Sequence, residues 1–243
     1  MNFPVIIKTP GHERPSANLY YEVAENGLFQ VRNTALYRAV TRSAGPLPGL
    51  LPEFERLQLD FPPLPTRLLQ EVVAFFAEVY RRYEGEAVVI LFYRVDTREH
   101  RVGVPPQMLL GRRQFDGKWR AHHALRYGNV TRPIGFLRLG TIHSHADLPA
   151  YSSAVDCADE QFEDGLHVVF GDFHRRDLSR CASFVVNGVR FPLRADDVLE
   201  PISFPKRPAR PEWMRRIELE RAGSTTRYGS SGSNGGVREE TRE

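Results

Sequence analysis

The change of hydrophobic period between residues 66 and 93 constrains the fold more than any other feature of the sequence. From Thr66 to Tyr83, apolar side chains recur at helical spacing and form one broad face, at Leu68, Leu69, Val72, Val73, Phe75, Phe76, Val79 and Tyr80. After Gly85, the uninterrupted apolar run from Ala87 to Tyr93 is typical of a strand that is buried on both faces. A helix followed directly by a buried strand predicts an α/β fold.

Further strand patterns and one more helix follow along the chain. A helix is predicted from Ser153 to Glu163, ended by Gly165, and a hairpin turn is predicted at Asn187-Gly188. Strands are predicted near Arg101 to Val104, Trp119 to His123, Ile134 to Ile142, Leu166 to Phe170, Ala182 to Val186 and Val189 to Leu193. This order of elements favours a mixed β-sheet with flanking helices.

The two ends of the chain differ from this central part. Residues 1–65 predict a β-rich extension, with a hairpin at Asn26-Gly27 between Leu19–Ala24 and Leu28–Val31, and a proline-rich connector from Gly45 to Pro65 that runs extended over the surface. Residues 66–204 form the main domain. Residues 205–243 lose the core beyond Pro205 and hold a short helix from Pro211 to Arg221 and a disordered Gly/Ser-rich tail.

The composition indicates which class of partner and which cellular compartment to expect. Of the 33 basic residues only Lys8, Lys118 and Lys206 are lysines, but the arginines alternate with 30 acidic residues, so they indicate solvated faces rather than a nucleic-acid surface. Two cysteines without a CxxC pair favour a reducing compartment, and we expect a cytoplasmic protein. No stretch approaches the roughly 20 apolar residues that span a membrane.

The segment from Gly140 to Asp156 carries the chemistry. His143 and His145 lie two residues apart at the end of a predicted strand, so both imidazoles share one face. After seven intervening residues, Ser153 stands at a helix N-cap position, and Asp156 falls in the first helical turn. Each residue taken singly also fits a polar strand end, a plain cap or an aspartate at a helix N-terminus. A strand end and a helix start can bring all of them to one point.

Two imidazoles and one carboxylate, with a fourth position for water, are the ligand set of a catalytic zinc. Zinc in such a site activates water and polarises a carbonyl, and a nearby carboxylate is needed to move the proton. A fixed hydroxyl such as that of Ser153 can stabilise an oxyanion. His122, His123, His167 and His174 have no ligand spacing, and Cys157 is expected to be buried where the helix packs.

The pattern His-x-His, seven residues, Ser, two residues, Asp resembles the motif of the JAMM (JAB/MPN) zinc metalloisopeptidases. The resemblance covers roughly Thr66 to Leu199. It implies a cytidine-deaminase-like JAB/MPN fold, bound Zn²⁺, His143, His145 and Asp156 as metal ligands, and Ser153 as the residue that supports the oxyanion.

The same resemblance implies a catalytic glutamate just before the strand that follows the first helix. Glu86 directly precedes the run from Ala87 to Tyr93 and is identified as the general base, with Glu84 as its competitor. Both would point to the same strand face. The family's usual glycines are replaced here by Val89 and Tyr93.

The extension, the connector and the phrase GEAVVILFY are similar to the JAMM peptidases of bacterial ubiquitin-like conjugation (Bil-type) antiviral operons. This resemblance implies a ubiquitin-like protein as substrate, joined through its C-terminal glycine in a conjugate or a precursor, and E1- or E2-like enzymes as partners. The alternatives are an inactive JAB/MPN scaffold that binds a ubiquitin-like protein, or a nucleic-acid-associated JAB protein. The N-terminal region is expected to help bind the substrate or a pathway partner.

Overall fold

A computed structural model describes residues 4–34, 37–43, 55–113, 119–202 and 208–220 of the chain. The chain divides into two structural units, the first ending at Gln58 and the second beginning at Leu59. This division precedes the boundary that was expected after Pro65.

The first unit contains a four-stranded sheet in the order β1-β2-β3-β4. Its strands are β1 (Val5–Ile7), β2 (Leu19–Ala24), β3 (Gly27–Asn33) and β4 (Arg38–Arg42), and β1 alone runs parallel to its neighbour. The hairpin turn between β2 and β3 consists of Glu25 and Asn26, one residue earlier than predicted, because Ala24 pairs with Gly27. Gly27 takes up the left-handed backbone at a φ of 129° and Asn26 does not.

The first helix of the second unit is α1 (Thr66–Tyr83), with the bounds that its apolar period predicts. Its inward face is wholly apolar and includes the buried Phe75 and Phe76. The helix ends because Glu84 adopts a left-handed conformation at a φ of 51°, from which its N–H still donates to the Tyr80 carbonyl.

The main sheet of the second unit has six strands in the order β12-β11-β10-β9-β5-β6. Strands β9 and β10 are parallel, and the other pairs are antiparallel. The strands are β5 (Val88–Arg94), β6 (Glu99–Gly103), β9 (Leu137–Ser144), β10 (Gly165–Gly171), β11 (Ser179–Val186) and β12 (Val189–Leu193), with α2 (Ala154–Glu160) between β9 and β10 and α3 (Ala195–Val198) after β12. The mixed α/β architecture is therefore confirmed.

The two faces of this sheet carry different kinds of side chain. Side chains of one parity, including Val89, Ile142 and Val168, belong to the buried core that also contains the apolar face of α1. The opposite parity carries polar side chains, with Thr141 and His143 on β9 and His167 on β10. The second face is where the functional site lies.

A three-stranded sheet in the order β13-β7-β8 completes the second unit. It contains β7 (Gln107–Arg113), which the sequence did not predict, with β8 (Trp119–Tyr127) and β13 (Ile217–Leu219). The helix expected from Pro211 to Arg221 is wrong in extent: α4 covers only Pro211–Met214, because the next residues pair in parallel with β7.

The core does not end near Pro205 as expected. Trp213 packs edge-on against Phe75 with 5.7 Å between ring centroids, and Ile217 and Leu219 also contact the main core. These apolar residues are too few to show a clear pattern in the sequence, yet they pack against the main core. The Gly/Ser-rich tail lies outside the described residues.

The proline-rich connector is described from residue 55 onward. The expectation that it runs over the surface is wrong at its end, where Leu64 is fully buried and bridges Leu199. The Leu64 N–H donates to the Val198 carbonyl at 2.8 Å, and the Leu64 carbonyl accepts from the Glu200 N–H at 3.0 Å. Among the described residues, no helix is both long and apolar enough to cross a lipid bilayer.

Candidate metal centre

The two histidines of the motif lie where β9 ends. His143 is the penultimate residue of β9, and His145 directly follows the strand, held by its N–H donating to the Phe170 carbonyl at 2.9 Å. Both side chains are buried, and their ring centroids lie 5.2 Å apart. The period of two therefore holds through the strand end and places both imidazoles on the polar face of the sheet.

Asp156 is brought to the same point by the start of α2. Ser153 is the N-cap, and its Oγ accepts from the Asp156 N–H at 3.1 Å. In return, Asp156 Oδ2 accepts from the Ser153 N–H at 2.9 Å. This reciprocal pair is a capping box in which aspartate replaces the usual glutamate. The cap orients the carboxylate toward the histidines, as the sequence spacing predicts.

The three side chains converge with the spacing of a metal coordination sphere. His143 Nε2 lies 3.3 Å from His145 Nε2 and 3.3 Å from Asp156 Oδ1, and His145 Nε2 lies 3.2 Å from Asp156 Oδ2. The two histidines thus face different oxygens of the carboxylate, and the nitrogen–nitrogen distance matches the roughly 3.3–3.4 Å between neighbouring ligand atoms of a tetrahedral zinc site with bonds of about 2.0–2.1 Å. His143, His145 and Asp156 form a buried group that could hold a metal ion.

The proton inventory of the site also favours a cation. Each imidazole nitrogen carries at most one proton, which can point at only one neighbour. If both Nε2 atoms donate to the carboxylate, two protonated nitrogens lie 3.3 Å apart with no hydrogen bond between them. If one of them is unprotonated, its contact with the carboxylate joins two acceptors. A cation between the three groups satisfies every contact at once, so the residues present fit a metal.

Glu86 lies beside this group, whereas Glu84 does not. Val88 pairs with His143, and Ala87 is joined to Ser144 by two hydrogen bonds of 2.9 Å, so the antiparallel register places Glu86 opposite His145. Glu86 is 4% exposed. Glu84 is exposed at the C-cap of α1. The expectation that both point to the same strand face does not apply, because the left-handed Glu84 belongs to the helix end.

Gln107 secures the strand that carries Glu86, and sequence reasoning missed it. Strand β6 pairs with β5 as far as Ile90, so Val88 lies beyond its end. The buried Gln107 amide takes its place: Oε1 accepts from the Val88 N–H at 2.9 Å and Nε2 donates to the Val88 carbonyl at 2.8 Å. A single glutamine after two prolines gives no sequence signal of this role.

Two neighbours define the surroundings of the site. Tyr151, 43% exposed, meets the His145 ring edge-on with 4.9 Å between centroids, so it connects the buried group with the surface. Cys157, expected to be buried, is exposed. The correction follows from the helix phase: Asp156 takes the inward position, and the next residue is turned about 100° away.

Neither His167 nor His174 belongs to this group. His167 is buried in a separate polar cluster, and His174 is on the surface, where Arg175 Nε donates to its ring. The side chains of His122 and His123 lie outside the described residues.

No protein-family model matches the chain, and neither does any curated protein or solved structure.

Proposed function

We propose that the chain is a zinc-dependent metallopeptidase of the JAMM type, with a JAB/MPN fold, that hydrolyses the bond after the C-terminus of a ubiquitin-like protein. The observation that carries this proposal is the convergence of His143, His145 and Asp156 at the spacing of zinc ligands beside the buried Glu86. Three protein ligands, rather than four, are typical of a catalytic zinc site.

His143, His145 and Asp156 would hold the metal. When bound, zinc supplies a Lewis acid that lowers the pKa of a water molecule toward about 7 and polarises the scissile carbonyl. Glu86 accepts the proton of the attacking water and passes it to the leaving amine nitrogen. Its burial keeps other water away from this transfer.

Ser153 supports the charge that develops on the carbonyl oxygen. Its Oγ acts as the acceptor in the helix cap, so its O–H bond is the group with which it can donate to an oxyanion. Capping and oxyanion stabilisation are therefore compatible in one side chain.

The substrate class follows from the resemblance of the sequence to peptidases of ubiquitin-like conjugation. A ubiquitin-like protein presents an extended C-terminal peptide, and the surface-connected Tyr151 beside His145 provides an aromatic contact at the point of entry. The first unit exposes Val5, Ile7 and Val23 on one face of its sheet, which supports a role in binding the substrate or an E1- or E2-like partner.

The test combines metal content with turnover. We expect about one zinc per chain by mass spectrometry, and cleavage of a ubiquitin-like fusion or isopeptide conjugate that chelation abolishes. Asp156→Ala should lose both zinc and activity, whereas Asp159→Ala, which removes a carboxylate from the same helix, should retain both. Glu86→Gln should keep zinc and lose about 10²–10⁴ in kcat.

Two results would contradict the proposal. One is a purified chain that binds no zinc. The other is a zinc-loaded chain that binds a ubiquitin-like protein without cleaving it, which would identify an inactive scaffold instead.

A further inference from the structure

Helix α2 has an unusual buried face, because its two buried side chains are the carboxylates of Asp156 and Glu160. Most helices are held by an apolar face, and an isolated helix shorter than about 12 residues is marginal in water. Helix α2 has seven residues. Its position against the sheet must therefore come from what the two carboxylates contact, Asp156 at the start and Glu160 one turn later.

Glu160 pairs with an arginine on β12 and lies close to a histidine on β10. Its Oε2 lies 2.7 Å from Arg190 Nη2 on β12, and its Oε1 lies 3.4 Å from His167 Nδ1 on β10. The Arg190 side chain is 20% exposed, and its other terminal nitrogen donates to the Ser183 hydroxyl on β11. Because Glu160 is 5% exposed, water screens these charges little, and removing one partner leaves the other charge poorly compensated.

His167 connects the chain just after α2 to the strand that carries the metal ligands. Its Nε2–H donates to the Glu163 carbonyl at 3.0 Å, just beyond the end of α2. Its Nδ1 lies 2.9 Å from Thr141 Oγ1, and Thr141 precedes His143 by two residues on β9. The cluster thus links the end of α2 to the same face of the sheet on which the histidines lie.

We propose that Glu160 is a positioning residue for the metal centre: through Arg190 it holds α2 against the sheet, while His167 binds the backbone just after the helix, so that Asp156 stays at ligand distance from the two histidines. This inference rests on the metal centre of the proposed function but not on peptidase activity. Residues that orient metal ligands without touching the metal commonly change metal affinity by about 10–100-fold.

The experiment measures zinc affinity by competition with a chromophoric chelator on the full-length chain. We expect Glu160→Gln to weaken zinc binding by about 10–100-fold. The matched control is Glu163→Gln, which removes the ion pair between a partly buried carboxylate and the exposed Arg138 near the same end of the helix, and it should change the affinity less than about twofold. Arg190→Met should act in the same direction as Glu160→Gln.

Thermal unfolding of the metal-free variants shows whether they fold. If Glu160→Gln does not fold, the test is the zinc affinity of Arg190→Lys. This variant keeps the charge but cannot contact both Glu160 and Ser183 as the two terminal nitrogens of arginine do. A folded Glu160→Gln or Arg190→Lys protein that binds zinc as tightly as wild type overturns the inference. A large affinity effect in a chain that cleaves no ubiquitin-like substrate leaves the inference standing and contradicts the proposed function.

Discussion

Replacing Glu84 by glycine and Glu86 by glutamine should have opposite consequences, although the two residues are separated only by Gly85. Glu84 caps α1 with a φ of 51°. A left-handed conformation costs an L-residue about 1–2 kcal/mol, and glycine gives back about 0.5–1 kcal/mol of this through its greater freedom in the unfolded chain. Because Glu84 is exposed, its own electrostatic contacts offset little of the gain.

We therefore expect Glu84→Gly to stabilise the protein by about 0.5–1 kcal/mol, which for a domain of this size raises Tm by about 1–4 °C. Turnover and zinc content should stay at the wild-type level. Glu86→Gln should keep zinc and lower kcat by about 10²–10⁴ if the buried carboxylate moves the proton. Differential scanning calorimetry and single-turnover cleavage measure the two effects. If Glu84→Gly loses activity while Glu86→Gln keeps it, the assignment of the base is wrong.

Three further changes test other parts of the structure. Ser153→Ala should cost about 1 kcal/mol of stability by denaturant titration and, beyond the effect of a plain cap, about 10²–10³ in kcat at unchanged zinc content. Gly140→Ala should destabilise by about 3 kcal/mol, because its Cβ would lie 1.8 Å from the Leu166 carbonyl oxygen, whereas at Gly128 the nearest atoms are 3.9 Å away and Gly128→Ala should be mild. Burial lowers the pKa of His100 from 6.5 to about 4, so the unfolded chain binds the extra proton and stability is lost as pH falls from 6.5 toward 4. His100→Leu should flatten this part of the Tm–pH curve; an unchanged slope would contradict the burial argument.

Local patterns predicted much of this structure because their causes lie within a few residues. The apolar period gave α1 its bounds, and Asn187-Gly188 forms the predicted turn with both residues at positive φ. The Ser153–Asp156 cap and the shared face of the histidines also follow from short spacings. Each depends on backbone geometry that neighbouring residues determine by themselves.

The features that the sequence did not predict depend on partners that are distant in the chain. Strand β13 consists of Ile217, Glu218 and Leu219, which is too short to show a periodic signal, and it becomes a strand because β7, more than a hundred residues earlier, offers an unpaired edge. The Gln107 amide bonds to the Val88 backbone, as a neighbouring strand would, because β6 ends before it reaches Val88. Cys157 was expected to be buried but is exposed, because its exposure depends on which side of α2 faces the sheet.

By itself, the sequence determined which atoms can meet a metal: two imidazoles from one strand end and a carboxylate oriented by its own helix cap. Only the tertiary structure brings these side chains close to one another, because the position of α2 depends on the contact of Glu160 with Arg190, 30 residues away. In the same way, the position of Glu86 depends on its register with β9. Spacing along a chain sets the direction of a side chain within its own element. The distance between elements is set by packing and pairing that no local pattern encodes.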